Sequence, residues 1–170
     1  VSCAALRGVD AFEVSLEVDF SRSGIPSFNM VGLAEGAVKE AHSRVLAALR
    51  NAGFKLPSGK ITVNLAPADL RKVGSHYDLP LALGLLAATG TIPPERLSGF
   101  MCAGELSLTG DLRPVSGILP FALLAKKMNA QGMLVPPGNA NEAAVVTGLE
   151  VYAPESLAQA VSCFTEEGSL

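Results

Sequence analysis

Residues 79–88, LPLALGLLAA, contain no polar or charged side chain. A helix that is apolar on every side is stable only where other elements cover it completely. Neither this run nor any other uninterrupted apolar run of the chain is long enough to cross a bilayer. The segment therefore predicts a central helix inside a folded core, and no membrane association is expected.

The segments around this helix predict a sheet. Residues 12–20, FEVSLEVDF, alternate apolar and polar side chains, as a half-buried strand does. Residues 27–32 are expected to pair back on that strand, which gives the sheet an antiparallel start. An amphipathic helix over about 35–52 follows, and Gly53 is expected to end it. A strand over 59–67 comes next, and helices then alternate with strands. We predict a single α/β domain over 1–170 with a mixed sheet.

The cysteines indicate a reducing compartment. Cys3, Cys102 and Cys163 are odd in number, far apart in sequence and without metal-ligand spacing. The chain also shows no charged-then-apolar leader with a cleavage site. We therefore expect a cytoplasmic protein with reduced thiols.

The charge and the glycine pattern argue against two common kinds of site. The formal net charge is −3 and there is no tryptophan, so nothing here favours a domain that clamps nucleic acid by itself. Gly59 and Lys60 are the nearest approach to a phosphate-binding loop, but the preceding glycine is missing and a strand follows. The dinucleotide fingerprint is absent too. We expect no cofactor within this chain.

Residues 72–84, KVGSHYDLPLALG, place a serine, a histidine and an aspartate directly before the apolar helix. Ser75 would lie near the amides of a helix N-terminus, which stabilise an oxyanion. His76 and Asp78 are too close in sequence to form the usual triad with it, so a lysine from another helix is the alternative base. His76 and Asp78 could also bind a metal ion together, but the sequence shows no third ligand near them. The competing interpretation makes Asp78 the N-cap of the helix.

Three long segments carry a resemblance to a known family. They are FNMVGLAEGAVKEAHSRVLAALRNAGF, ITVNLAPADLRKVGSHYDLPLALGLLAATG and CAGELSLTGDLRPVSGILPFALLAK. Together they resemble the amino-terminal domain of the bacterial Mg-chelatase-like AAA+ proteins, the ComM/YifB group. The resemblance implies a fold like the Lon protease C-terminal domain, followed by an AAA+ ATPase module that this chain lacks and that binds ATP and Mg²⁺. It also implies a cytoplasmic, ring-shaped hexamer that drives DNA branch migration in natural transformation.

The similarity to Lon proteases also implies where catalytic residues would stand. The nucleophile position falls on Ser75, or on His76 if a gap of one residue is allowed. The position of the lysine base falls on Leu119, and Lys126 and Lys127 come about two helical turns too late. Because leucine cannot take a proton, we expect a non-catalytic domain whose protease site is replaced by core. The alternative is an ATP-dependent peptidase of the Ser-Lys type.

A non-catalytic module of a DNA motor would act through contacts. The cations that we single out for DNA or for neighbouring subunits are Lys39, Arg44, Arg71, Lys72 and Arg113. The competing interpretation is that each is an ordinary solvated surface charge.

Overall fold

The computed structural model describes residues 1–165, which form a mixed sheet with helices on both faces. The strands are β1 (Ser2–Arg7), β2 (Asp10–Ser21), β3 (Ser27–Val31), β4 (Lys60–Ala66), β5 (Phe100–Cys102), β6 (Glu105–Leu106), β7 (Leu112–Arg113), β8 (Gly132–Leu134) and β9 (Val151–Tyr152). The helices are α1 (Ala37–Asn51), α2 (Asp78–Ala88), α3 (Pro94–Leu97), α4 (Ile118–Lys127), α5 (Ala140–Ala144) and α6 (Leu157–Thr165), with a 3₁₀ turn at Pro137–Asn139.

The seven-stranded sheet has the order β3-β4-β2-β1-β5-β8-β9, and β6 and β7 form a separate ribbon. The pairs β1–β2 and β2–β4 are antiparallel, and the other four pairs are parallel. The predicted α/β class and the mixed sheet are therefore confirmed.

The predicted pairing of β3 with β2 is wrong. β3 pairs in parallel with β4, and β4 lies between β3 and β2. The cause is the helix α1, which connects β3 to β4 and makes them a β-α-β unit, the connection that parallel neighbours require. The strand β1, which no sequence pattern indicated, supplies an antiparallel partner of β2 instead.

The helix α1 ends as its sequence predicts. Gly53 follows it with φ 87°, and its N–H donates to the Arg50 carbonyl. The N–H of Phe54 donates to the Leu49 carbonyl at 2.9 Å, and the two bonds together form a Schellman motif. This end directs the chain back toward β4.

The helix α2 is the central element of the core, as its apolar run predicts. Every side chain from Asp78 to Leu86 is buried. Residues of α1, α2 and α6 share one apolar cluster on one face of the sheet, and residues of α4 and α5 share another on the opposite face. Within residues 1–165 no helix is long and apolar enough to span a membrane.

Part of the second sheet face is open to solvent. The outward side chains of β2, β3 and β4 are exposed or half-buried, in contrast to the buried Ala4 of β1 on the same face. This open face carries three acidic side chains and one lysine; these are Glu13, Glu17, Asp19 and Lys60.

Candidate functional site

Ser75 lies in the turn that leads into α2. Its carbonyl accepts the N–H of Asp78 at 3.2 Å, which closes the turn, and its side chain is half-buried. Within residues 1–165 the Ser75 hydroxyl has no hydrogen-bond partner. A serine becomes a nucleophile through an adjacent base. The described part of the chain gives Ser75 no such base.

His76 is fixed by the core. Its Nε2 lies 2.8 Å from the carbonyl oxygen of Ala4. Because a carbonyl only accepts, Nε2 carries the proton in this neutral ring. The ring lies against the rings of Tyr77 and Phe121, with centroids 4.1 Å and 4.9 Å away, and burial lowers the pKa of His76 to about 4. His76 therefore joins the loop to β1 and α4, and its buried ring is poorly placed to act as a nucleophile.

Asp78 is the first residue of α2, and the expectation that it caps the helix is wrong. Its side chain makes no cap bond and is fully buried. The two carboxylate oxygens accept from Nε and Nη2 of Arg44 at 2.8 Å and 2.9 Å, and one of them also accepts the Leu106 N–H at 3.1 Å. Burial raises the pKa of Asp78, and the bonds from Arg44 and Leu106 oppose that shift. The carboxylate therefore links α2 to α1 and β6 through these hydrogen bonds.

Leu119 lies in the first turn of α4. We expected core residues to replace the protease site, but Leu119 lies at the surface. Its side chain is 36% exposed, whereas its neighbour Ile118 is buried. Its N–H donates to a carboxylate oxygen of Glu142 at 2.9 Å. The contact between His76 and Phe121 brings the loop and this helix together. The position that the resemblance assigns to a lysine therefore holds an apolar side chain at the surface, and that side chain cannot accept a proton.

Two of the five selected cations, Arg44 and Lys72, form hydrogen bonds within the fold. The guanidinium of Arg44 donates to Asp78 and also to the Ala37 carbonyl, at 2.8 Å. Lys72 is fully buried, donates from Nζ to the Pro67 carbonyl, and has its pKa lowered by burial. Lys72 has no exposed ammonium to offer to DNA, and Arg44 keeps only a partly exposed edge.

The other three cations lie at the surface. Arg71 is 70% exposed and forms an ion pair with Glu35. Lys39 is exposed on α1. Arg113 is exposed on β7, where it lines a cleft with Arg44 and the β6–β7 turn. These three remain available for contacts outside the chain.

The ion pair between Arg44 and Asp78 is the feature that the sequence analysis missed. The two residues are 34 positions apart, so no local pattern connects them. One signal was present, because an aspartate directly before an entirely apolar helix needs a buried partner. Within residues 1–165 no group of three histidine, cysteine or acidic side chains is placed to hold a metal.

Comparison with known proteins gives consistent results. A sequence profile of the family described as subunit ChlI of Mg-chelatase matches residues 16–139. Competence protein ComM of Haemophilus influenzae is 46% identical over 157 residues, which are 92% of this chain and 30% of that protein. The uncharacterized protein YifB of Escherichia coli K12 is 42% identical over 166 residues, 98% of this chain and 32% of its own length.

A more distant similarity concerns a protease. Lon protease 2 of Bacillus subtilis is 28% identical over 130 residues, which are 75% of this chain and 22% of that protein. The chain thus spans about 30% of the length of the curated relatives that it matches first. By the profile match and the two closer similarities, the chain belongs to the Mg-chelatase-like family, in its ComM/YifB group.

Proposed function

We propose that this chain is a non-catalytic module with a Lon-protease-like fold, and that it belongs to a larger, cytoplasmic, bacterial AAA+ ATPase. One observation carries the non-catalytic part. Ser75 has no base within residues 1–165, and the surface leucine Leu119 stands at the position that the resemblance gives to the lysine. ATP and Mg²⁺ would be bound by the part of the protein that lies beyond this chain.

The proposal extends to DNA and to a ring. The proposed role is DNA branch migration during natural transformation, with a hexamer as the working form, as the resemblance to the ComM/YifB group implies. The similarity to a competence protein supports the link to transformation. DNA would meet Lys39, Arg71 and Arg113, which are exposed outside the acidic open sheet face. A phosphate backbone is repelled by clustered carboxylates, so the two surfaces would have different partners.

DNA binding by the full-length protein tests this assignment. The logarithm of the binding constant should fall linearly with the logarithm of the salt concentration, because each phosphate contact releases counterions. Arg113→Ala should weaken binding and reduce the magnitude of that slope by about 1. Lys60→Ala is the matched control, since Lys60 lies on the acidic open sheet face, and it should bind as the native protein does. Binding that is insensitive to salt, or equal effects of both variants, would contradict the assignment.

The second candidate function is a serine-dependent peptidase. Two observations favour it, namely the half-buried but unpartnered hydroxyl of Ser75 and the similarity to Lon protease 2. It needs a base from outside the described residues, such as a neighbouring subunit. Reaction of Ser75 with a serine-directed probe distinguishes the two candidates.

A further inference from the structure

The strand β3 forms an unprotected edge of the sheet. It pairs with β4 on one side, and within residues 1–165 no strand pairs with its other side. The opposite edge of the sheet is β9, which has only two residues. Proteins usually protect a long edge strand with a charge, a proline, a bulge or a covering element. The residues of β3, SFNMV, contain neither a charge nor a proline, and Pro26 stands directly before the strand.

The sequence around this edge is neutral and apolar. No charged residue occurs from Ile25 to Ala34. Ile25, Val31 and Leu33 are 87%, 51% and 45% exposed. Exposed apolar side chains grouped at one place mark an interaction site more often than scattered ones do. An edge with free backbone groups and an apolar border fits another β-strand, which would pair by main-chain hydrogen bonds.

We propose that β3 pairs antiparallel with β3 of a second copy of this chain, across a two-fold axis at Asn29. The register puts Ser27 opposite Val31, Phe28 opposite Met30, and Asn29 opposite Asn29 of the other copy. The two seven-stranded sheets become one continuous sheet. An interface of this kind uses the same surface on both copies and closes after two.

The side chains of β3 are self-complementary in this register. Phe28 and Met30 are half-buried against the core cluster of α1 and α2, and each would cover the other's open side. The open face carries Ser27, Asn29 and Val31. In this register each of them is therefore opposite a residue of the other copy that lies on the same open face. The two Asn29 amides meet on the axis, where each can donate to the other.

The flanking residues follow the same register. Positions 25 and 33 are equally far from Asn29, so the exposed residues Ile25 and Leu33 flank the same end of the paired segment. Gly32 and Leu33 have φ values of 105° and 58°, which end the extended strand after Val31. The paired segment is therefore short and is bordered at both ends by apolar residues.

This interface differs from the head-to-tail contact of a ring. A ring uses two different surfaces on each subunit, whereas the β3 pair uses one surface twice. The residues that would pair, Ser27–Val31, include neither Ser75 nor any of the three exposed cations. The inference therefore stands or falls independently of the proposed function.

A disulfide at the axis tests the register. Opposed Cα atoms of an antiparallel pair are about 4.5–5.5 Å apart, which suits a disulfide. Asn29→Cys should therefore cross-link two chains on mild oxidation. Thr62→Cys is the matched control, because Thr62 neighbours Asn29 on β4 and the same face, but the two copies would be roughly 14 Å apart. Cross-linking of both variants to the same extent, or of neither above the native chain, would overturn the proposal.

Sedimentation of the 170-residue chain tests the pairing without cross-linking. The native chain should reach twice the mass of one chain as its concentration rises. Val31→Lys adds a charge to the edge and should give a monomer, whereas Val145→Lys, at another exposed valine near α5, should leave the dimer intact. A native chain that stays monomeric would overturn the proposal, as would a dimer that Val31→Lys does not change. Protection of the β3 amides from hydrogen exchange only in a longer protein would assign the edge to another segment and refute the self-pairing.

Discussion

Ser75, His76 and Asp78 stand within four positions of the sequence, but their side chains have separate roles. The Ser75 hydroxyl is unpartnered among residues 1–165, His76 donates to the backbone of β1, and Asp78 binds Arg44. A catalytic triad needs the three side chains in contact with one another. Here the fold uses two of them to hold α2 in place, so the catalytic interpretation loses both its base and the group that would orient it.

The buried His76 should make the free energy of unfolding depend on pH. Its pKa is about 4 in the folded chain, below its ordinary 6.5, so the unfolded chain takes up a proton that the folded chain does not. The contribution of neutral His76 is fully present above pH 6.5 and falls as the pH is lowered toward 4, by about 3 kcal/mol in all. Urea unfolding across this range measures the loss. In His76→Gln this part of the pH dependence should disappear, and an unchanged pH profile in the variant would contradict the assignment.

Arg44 should contribute mainly to the stability of the fold, and less to the binding of any partner. Arg44→Met leaves the carboxylate of Asp78 buried without its cation, and we expect a loss of about 3–5 kcal/mol in the free energy of unfolding. The double variant Arg44→Met with Asp78→Asn removes both charges and keeps an acceptor for the Leu106 N–H. Thermal and urea unfolding should show that the double variant regains much of the loss. Equal stability of the native chain and Arg44→Met would show that the pair contributes little.

At the scale of elements, the periodicity of apolar residues was sufficient to predict individual helices and strands. The alternation over 12–20 predicted β2, the stripe ending before Gly53 predicted α1 and its termination, and the apolar run predicted the buried α2. The strand β1, SCAALR, was missed because small residues and a cysteine give no alternation. Neighbours in the sheet were not predictable, since the place of β3 depends on the return of α1 and β4.

The junction of β3 and β4 depends on Gly32. Its φ is 105°, and a Cβ at this position would lie 2.1 Å from the carbonyl oxygen of Leu65 on β4. Gly32→Ala should therefore cost more than about 2 kcal/mol, from the strained backbone and the overlap together. Gly8 in the β1–β2 turn has a φ of 65° but open space around it, so Gly8→Ala should cost only about 1 kcal/mol. Unfolding measurements on both variants test the difference, and equal losses would rule out the close approach as its cause.

At the scale of the whole molecule, charge is distributed unevenly over the surface. The open sheet face is acidic, whereas Lys39, Arg71 and Arg113 are exposed on other elements. The net charge of −3 does not indicate where the charges lie, and the sequence could not show that Lys72 is buried. The α/β class and the family were accessible from the sequence because they rest on long ordered segments. The state of individual cations was not, because it depends on contacts between distant residues.

The central claim is that this domain keeps a serine at a protease position without the means to activate it. Labelling of the native chain and of Ser75→Ala with a fluorophosphonate probe tests this most directly, with an active serine hydrolase as the positive control. We predict no labelling of the native chain above the level of Ser75→Ala, because Leu119 is not a base and His76, whose pKa burial lowers to about 4, makes no hydrogen bond to the hydroxyl. Labelling of the native chain that Ser75→Ala abolishes would contradict the account and establish an activated serine.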